Sequence, residues 1–291
     1  MMNNRTMISK FQGSSCLSEI GTLGRVIVCS PLYFRITKPI NKIQEKYQKD
    51  NPPVREIAVS QHQKLVEVLR DMGVIVDFVE PAESLPYQVF TRDTGCVIGR
   101  QFLVSNLREE VRRAEAERVL SAMWKYRLEI ITLDEGYVEG GDILVDNHTL
   151  LIGIGSRTDS KGADFMKRRF GSRFEIVPLP FKEEYLHLDT VFNIIGGGNA
   201  LIFGQAFDDE AQSELAKRYQ LLEVTPEEQG RMAVNVLSLT SSTVLSIKEN
   251  AELNIRLRQM GFEVIELEFS EIIKAGGSVR CATLPVERRN M

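Results

Sequence analysis

One pattern recurs four times along this chain and a fifth time across its two ends: an apolar hairpin, an amphipathic helix, then another apolar strand. The first unit takes in Thr94-Gly95-Cys96-Val97-Ile98 and Phe102-Leu103-Val104, a helix from about Glu109 to Tyr126, and Glu129-Ile130-Ile131-Thr132-Leu133. The second starts at Asp142-Ile143-Leu144-Val145, turns at Asp146-Asn147-His148 and returns along Leu150-Leu151-Ile152-Gly153-Ile154. It continues as a helix near Ala163 to Phe170 and closes with Phe174-Glu175-Ile176-Val177-Pro178. The third runs from Asp189-Thr190-Val191-Phe192-Asn193-Ile194-Ile195, through a turn at Gly196-Gly197-Gly198-Asn199, to Leu221-Leu222-Glu223-Val224. The fourth opens at Ala233-Val234-Asn235-Val236-Leu237 and ends at Phe262-Glu263-Val264-Ile265-Glu266-Leu267. A unit of roughly 45 residues cannot bury its apolar face alone, so the repeats imply a propeller or another closed array.

The ends complete the pattern. Val279-Arg280-Cys281-Ala282-Thr283-Leu284 supplies only the first strand of a unit. Arg25-Val26-Ile27-Val28-Cys29, a helix from Val59 to Met72 and Val74-Ile75-Val76-Asp77-Phe78 supply the rest. The fifth unit is therefore shared between the two ends and closes the ring like a clasp. No linker divides the chain, so one α/β domain over residues 1–291 is expected. In this register Asp93, Asp142, Asp189, Asn235 and Cys281 fall at the starts of successive first strands. Around a central axis they converge at one mouth of the channel.

Several of these positions carry chemistry. Cys281 follows a glycine-led turn in Gly276-Gly277-Ser278-Val279-Arg280-Cys281-Ala282-Thr283-Leu284-Pro285, and His187 sits in Leu186-His187-Leu188-Asp189. Upstream lie Glu139-Gly140-Gly141-Asp142 and Phe90-Thr91-Arg92-Asp93. A cysteine, a histidine and several carboxylates at strand edges point to covalent catalysis on a cationic substrate. Asn235 has no chemical role beyond its place in the repeat.

Other features narrow the classes. Cys16, Cys29, Cys96 and Cys281 are scattered with no C-x-x-C pair, so reduced thiols are expected and neither zinc nor a redox motif is indicated. A formal charge of -4 with mixed signs leaves no basic stripe for nucleic acid. No apolar run approaches the roughly 18 residues of a membrane helix, and the first thirty residues lack a signal pattern, so a cytoplasmic location is expected. Glycines 196 to 198 join two strands, where a phosphate loop would open a helix. Asp142 either braces the Gly140-Gly141 turn or touches substrate. Arg112 lies in a charged run, Arg108 to Arg118, and reads equally as a solvated face or a carboxylate ligand. His148 in its hairpin turn and His62 before an amphipathic helix read as surface residues, and the other three cysteines as structural ones.

At Glu139-Gly140-Gly141-Asp142, His187-Leu188-Asp189 and Arg280-Cys281-Ala282-Thr283 the chain resembles the guanidine-modifying enzymes, the pentein superfamily. That group includes arginine deiminases, dimethylarginine dimethylaminohydrolases and amidinotransferases. The resemblance runs from about Val26 to Cys281 and implies a five-bladed α/β propeller around a central channel, in agreement with the repeat count. By motif it implies Cys281 as nucleophile, His187 as general acid and base, and Glu139 as its carboxylate partner. It gives Asp93 and Asp189 the substrate guanidinium, and Arg112 (or Arg113) and Arg157 the substrate α-carboxylate. The size resembles the dimethylarginine enzymes, which commonly carry a lysine in place of the second aspartate. Arg92-Asp93 and His187-Leu188-Asp189 resemble deiminases instead. The expected activity is hydrolysis of a guanidino C–N bond in arginine or a derivative, giving citrulline or a related ureido product plus ammonia or an alkylamine. Amidino transfer to an amine and non-catalytic sensing of a guanidino ligand are the alternatives. No metal or cofactor is required, because nucleophile and acid/base are both protein groups. The partner expected is the small guanidino substrate, and an exposed propeller face could support a homodimer.

Overall fold

In the computed structural model, residues 15–289 are described; the outer limits of the expected 1–291 domain lie outside them. Among the described residues, fifteen strands form five three-stranded sheets. Every sheet has the same plan: its first strand pairs antiparallel with the second, and the second pairs parallel with the third. A parallel neighbour cannot be reached by a tight turn, so a helix intervenes.

The first module comprises Gly95–Ile98, Gln101–Val104, helix Arg113–Met123 and Glu129–Ile131. The second comprises Ile143–Asp146, Thr149–Ile154, helix Ser160–Phe170 and Glu175–Pro180. The third uses Phe192–Gly196, Asn199–Ile202, Asp209–Arg218 and Gln220–Glu223, and the fourth uses Leu237–Ser238, Thr243–Ile247, Ala251–Gln259 and Glu263–Leu267. The fifth is the expected clasp. Leu284–Arg289 pairs with Thr22–Cys29, which continues through helix Arg55–Asp71 to Ile75–Val79.

Local sequence explains the elements. The helix Ser160–Phe170 is capped by Asp159, whose side chain accepts from the Gly162 N–H; it buries Ala163, Phe165, Met166 and Phe170 and ends on Lys167, Arg168 and Arg169. These are the cap, apolar stripe and cationic last turn that a surface helix needs. Second strands such as Thr243–Ile247 are buried throughout, whereas the third strand Glu175–Pro180 buries only Val177 and Leu179. Modules share apolar clusters with their neighbours: Leu144 and Leu151 of the second pack with Phe192 and Ile194 of the third. Val97 and Phe102 of the first pack with Ile27 and Leu284 of the fifth. The ring is held by this continuity between modules.

The first strands begin later than the alternation suggests. A 3-10 turn precedes the strand in three modules: Thr91–Thr94, Gly140–Asp142 and Leu188–Thr190. The largest difference is in the fifth module, where the strand starts at Leu284 and not at Val279. Residues before it form a turn, with Ala282 N–H donating to the Ser278 carbonyl and Thr283 N–H to that of Arg280. Asparagine and aspartate side chains in these turns capture backbone N–H groups that a ladder would otherwise take. His62 is also not at the surface. It is 2% exposed on the inner face of Arg55–Asp71, and burial pushes its imidazole down to about 4. His148 is exposed as expected, and Cys16, Cys29 and Cys96 are buried free thiols.

Candidate active site

The turns before the first strands meet on the ring axis. Arg92 N–H donates to the Cys281 carbonyl at 3.1 Å, Asn235 Nδ2 to the Asp189 carbonyl at 3.0 Å, and Leu188 N–H to Asp142 Oδ1 at 2.8 Å. The turns that carry the chemistry are therefore linked by side-chain and backbone bonds.

Cys281 is 2% exposed, in its turn between Gly277 and Leu284. Asn235 Oδ1 accepts from both the Ser278 N–H (3.0 Å) and the Cys281 N–H (3.1 Å). Gly277 is required by space: a Cβ there would stand 2.6 Å from the Phe90 ring and 2.9 Å from Cys281 Cβ. Cys281 Sγ donates its weak hydrogen bond to Asp189 Oδ1, 3.9 Å away. Burial, then the negative charges of Asp189 and Asp93, push the thiol well above its ordinary pKa, so the resting group is S–H.

His187 is 1% exposed. Its Nε2 meets Glu139 Oε2 at 2.7 Å, while Nδ1 has no hydrogen-bond partner among the described residues and lies 3.6 Å from Asp93 Oδ1. Glu139 Oε1 is fixed by the Arg108 N–H at 3.0 Å. Burial alone would lower the imidazole pKa, but Asp93, Asp142 and Glu139 outweigh it and lift the group to about 9. Glu139 answers in the opposite sense: burial works upward, yet the His187 bond and charge hold it at about 2. At neutral pH the two form an ion pair, with the free Nδ1–H directed away from Glu139. Gly141 lets the turn close on this ring, since a Cβ would lie 2.8 Å from His187 Cγ and 3.0 Å from Asp93 Oδ1.

Asp93 and Asp189 share one design. Asp93 Oδ2 is held by Arg112 Nη1 at 2.7 Å, leaving Oδ1 unpartnered among the described residues; Asp189 Oδ2 is held by Arg280 Nε at 3.1 Å, leaving Oδ1 facing the sulfur. Each carboxylate thus has one oxygen anchored and one turned toward His187 or Cys281. Burial is the main cause that raises the Asp189 pKa, and Arg280 opposes it.

Arg112 is accordingly not a solvated residue, and its contacts aim Asp93. Its guanidinium is 3% exposed and bonds Asp93 and Glu115, with Nη2 also reaching the Phe90 carbonyl at 3.2 Å. Its neighbour Arg113 donates to the Leu107 and Arg108 carbonyls. Arg157 donates Nη2 to the Ile40 carbonyl at 2.5 Å and pairs with Glu109 at 3.1 Å. Asp142 is fully engaged, Oδ1 by the Leu188 N–H and Oδ2 by Thr158 Oγ1 at 2.6 Å. Of the two roles open to it, the brace is the one its contacts describe: it fixes the His187 segment. Burial raises it to about 7.

Two parts of the site had no chemical signal in the sequence. Asn235 braces the nucleophile's loop, and only its register in the repeat marked it. The segment following Cys29 folds over the site: Phe34 stacks edge-on against Phe90 at 6.3 Å, Tyr87 Oη donates to the Lys38 carbonyl, and Asn41 donates to that of Ala275. Coil residues with no periodicity gave no hint of that.

Comparison with known proteins agrees with this fold. The family model for eukaryotic N,N dimethylarginine dimethylhydrolase matches residues 30–288. An uncharacterized protein, YkgA of Bacillus subtilis, is 39% identical over 94% of this chain and 95% of its own length. The arginine deiminase of Bacillus cytotoxicus is 27% identical over 85% of this chain and 72% of its own. ArgZ of Synechocystis, a bifunctional arginine dihydrolase/ornithine cyclodeaminase, is 27% identical over 90% of this chain, which spans 37% of the ArgZ length. The crystal structure of its N-terminal domain bound to product superposes with a TM-score of 0.83, covering 91% of this chain and 98% of that domain at 27% identity.

Proposed function

The chain belongs to the N,N dimethylarginine dimethylhydrolase family of the pentein superfamily, and we propose that it hydrolyses a guanidino C–N bond of arginine or an arginine derivative through a covalent adduct on Cys281. The observation that carries this reading is the meeting of one thiol, one carboxylate-paired imidazole and two half-anchored aspartates within a single buried centre.

A guanidinium is planar and carries N–H donors that carboxylates match in plane. Asp93 Oδ1 and Asp189 Oδ1 are the oxygens left for it. Its positive charge offsets the two carboxylates that hold the Cys281 thiol protonated, so substrate entry itself releases the thiol proton to solvent. The thiolate attacks the guanidinium carbon, and the C=N electron pair moves onto nitrogen. His187 Nδ1–H then protonates the departing nitrogen, the C–N bond breaks, and ammonia or an alkylamine leaves. The remaining adduct is a thiouronium on Cys281. Neutral His187 next takes a proton from water and the resulting hydroxide adds to the same carbon; the C–S bond then breaks with its electron pair on sulfur, and the Cys281 thiolate takes up the hydroxyl proton as the C=O of the ureido product forms. Glu139 favours the charged imidazole in the first half and keeps Nε2 occupied, so that Nδ1 does the exchange. Arg157 supports the substrate α-carboxylate, for which it would exchange the Ile40 carbonyl. Buried unpaired thiols suit a reducing, cytoplasmic setting.

Mass spectrometry of products from L-arginine, N-methylated arginines and agmatine, with a Cys281→Ser control, tests this. Citrulline or its analogue, absent in the control, is expected; ornithine would add a second hydrolysis. Binding without product from any of them refutes hydrolysis, and turnover only with an added amine replaces it by amidino transfer.

A further inference from the structure

Beside the catalytic centre lies a second buried polar cluster that the chemistry above does not use. Glu19 is its hub: Oε1 accepts from Arg92 Nη2 at 2.8 Å and from the Val145 N–H at 3.1 Å, and Oε2 accepts from Arg280 Nη1 at 2.8 Å. Arg280 continues to Asp189. A third guanidinium, Arg288, donates Nη1 to the Gly21 and Ser238 carbonyls at 2.7 and 2.9 Å. Arg92, Arg280 and Arg288 are 3%, 1% and 5% exposed. Three guanidinium groups thus face two carboxylates, Glu19 and Asp189, in a region closed to water.

Within the cluster is a cavity of about 10 Å³ whose walls include Cys16, Glu19, Arg92, Cys96 and Arg288. Arg92 Nε and Arg288 Nε and Nη2 have no hydrogen-bond partner among the described residues, nor has Arg280 Nη2 beside them. Orphaned buried N–H groups on a charged side chain are costly and call for an acceptor. Among the acceptors in its walls, Glu19 already takes three N–H groups and Ser18 Oγ takes the Ile20 N–H at 3.1 Å, while burial pushes the thiols of Cys16 and Cys96 up to about 12 and 11, so they bring no negative charge. Arg288 is pulled down to about 10, by burial first, with Arg280 and Arg92 repelling it and Glu19 opposing.

The geometry points to a binding site for a single monatomic anion of halide size, held between the free N–H groups of Arg92 and Arg288. Two guanidinium groups, Arg92 and Arg288, against the one carboxylate of Glu19 leave the walls with an excess positive charge, which favours an anion. A cavity this small takes a single compact occupant and excludes phosphate, sulfate and carboxylates. Such an ion would tie the Cys16–Glu19 segment to Arg288 near the other chain end, where the fifth module closes. Through Glu19 and Arg280 it would also steady the Asp189 clamp.

Two measurements on the intact protein test the site. Thermal unfolding is followed as sodium chloride replaces sodium gluconate at constant ionic strength, gluconate being too large for the cavity. A saturable rise in Tm of roughly 2–4 °C is expected, lost in Arg288→Met. Crystals soaked in bromide should give an anomalous peak between Arg92 and Arg288. If Arg288→Met does not fold, the wild-type peak decides alone. A Tm indifferent to chloride, or a bromide-soaked crystal with water or nothing between the two arginines, overturns the proposal.

Discussion

Replacing Glu139 by glutamine should convert this protein from one that works at mildly alkaline pH into one confined to acid. The imidazole of His187 stands at about 9, above the ordinary 6.5, so it stays protonated as pH rises and loses its proton only around 9. At pH 8 roughly nine-tenths of it is imidazolium. Nε2 and Oε2 are 2.7 Å apart, and the charge centres are about 4 Å apart. At an effective dielectric near 20 that interaction is about 4 kcal/mol, or about 3 in pKa. In Glu139→Gln the new amide would keep an oxygen for the Nε2–H, at the expense of the Arg108 N–H contact, but the charge would be gone. Asp93 and Asp142 still face the ring, so its pKa settles near 6, and at pH 8 only about 1% is imidazolium. Leaving-group protonation then limits turnover, and kcat at pH 8 falls about 100-fold while at pH 5.5 it stays within a few-fold of wild type. The assay is ammonia or amine release between pH 5.5 and 9.5. A loss uniform across pH, or an alkaline limb that does not move, would refute the assignment of His187 as the acid that Glu139 keeps charged.

Two further outcomes follow from the positions of buried charges. Arg112→Lys should lower kcat/KM about 100-fold for arginine and for agmatine alike, because Arg112 aims Asp93 and a displacement of about 1 Å at the clamp costs that much; a loss confined to arginine, measured by competition between the two, would restore Arg112 as the carboxylate ligand. His62→Gln should lessen acid sensitivity. The folded pKa of about 4 lies below the ordinary 6.5, so the unfolded chain takes up the proton first and the native state loses stability as pH falls through that window, by about 3 kcal/mol in full. Urea midpoints at pH 7.5 and 4.5 should converge in the variant, and an unchanged gap would show that other groups carry the acid effect.

The half-anchored aspartates explain how a site with so much negative charge stays ordered. Asp93, Asp142, Asp189 and Glu139 converge within a buried centre, where unpaired carboxylates would be strongly disfavoured. Arg112 and Arg280 each neutralise one aspartate from the side away from the sulfur. His187 neutralises Glu139, and Asp142 is pushed up toward the neutral range by burial. What remains is one open oxygen on each of Asp93 and Asp189, and these are the groups whose charge holds the Cys281 thiol protonated, so affinity for a cation and activation of the thiol have the same origin.

The repeat was legible because three-stranded modules with one crossover helix leave a fixed order of apolar runs, and the clasp followed from counting strands at the two ends. Register then placed Asp93, Asp189 and Cys281 at one centre, together with Asn235, whose use as the brace of the Cys281 loop had no other sequence signature. Strands start later than the alternation of apolar residues implies because the chain swaps ladder bonds for side-chain bonds at these turns, a choice that hydropathy cannot register. The solvated reading of Arg112 fails for a related reason. A charged run on a helix looks solvated until a partner from outside the helix arrives, and Asp93, in the turn that opens the same module, lies nineteen positions away in sequence but 2.7 Å away in space. Glu19 is the extreme case: its partners Arg92, Val145 and Arg280 come from three distant segments, so no window of sequence contains the cluster. Periodicity reports what each module does for itself. The residues it misses are those whose charge is balanced only when the ring closes, which is why the buried ion-pair network emerges from the fold alone.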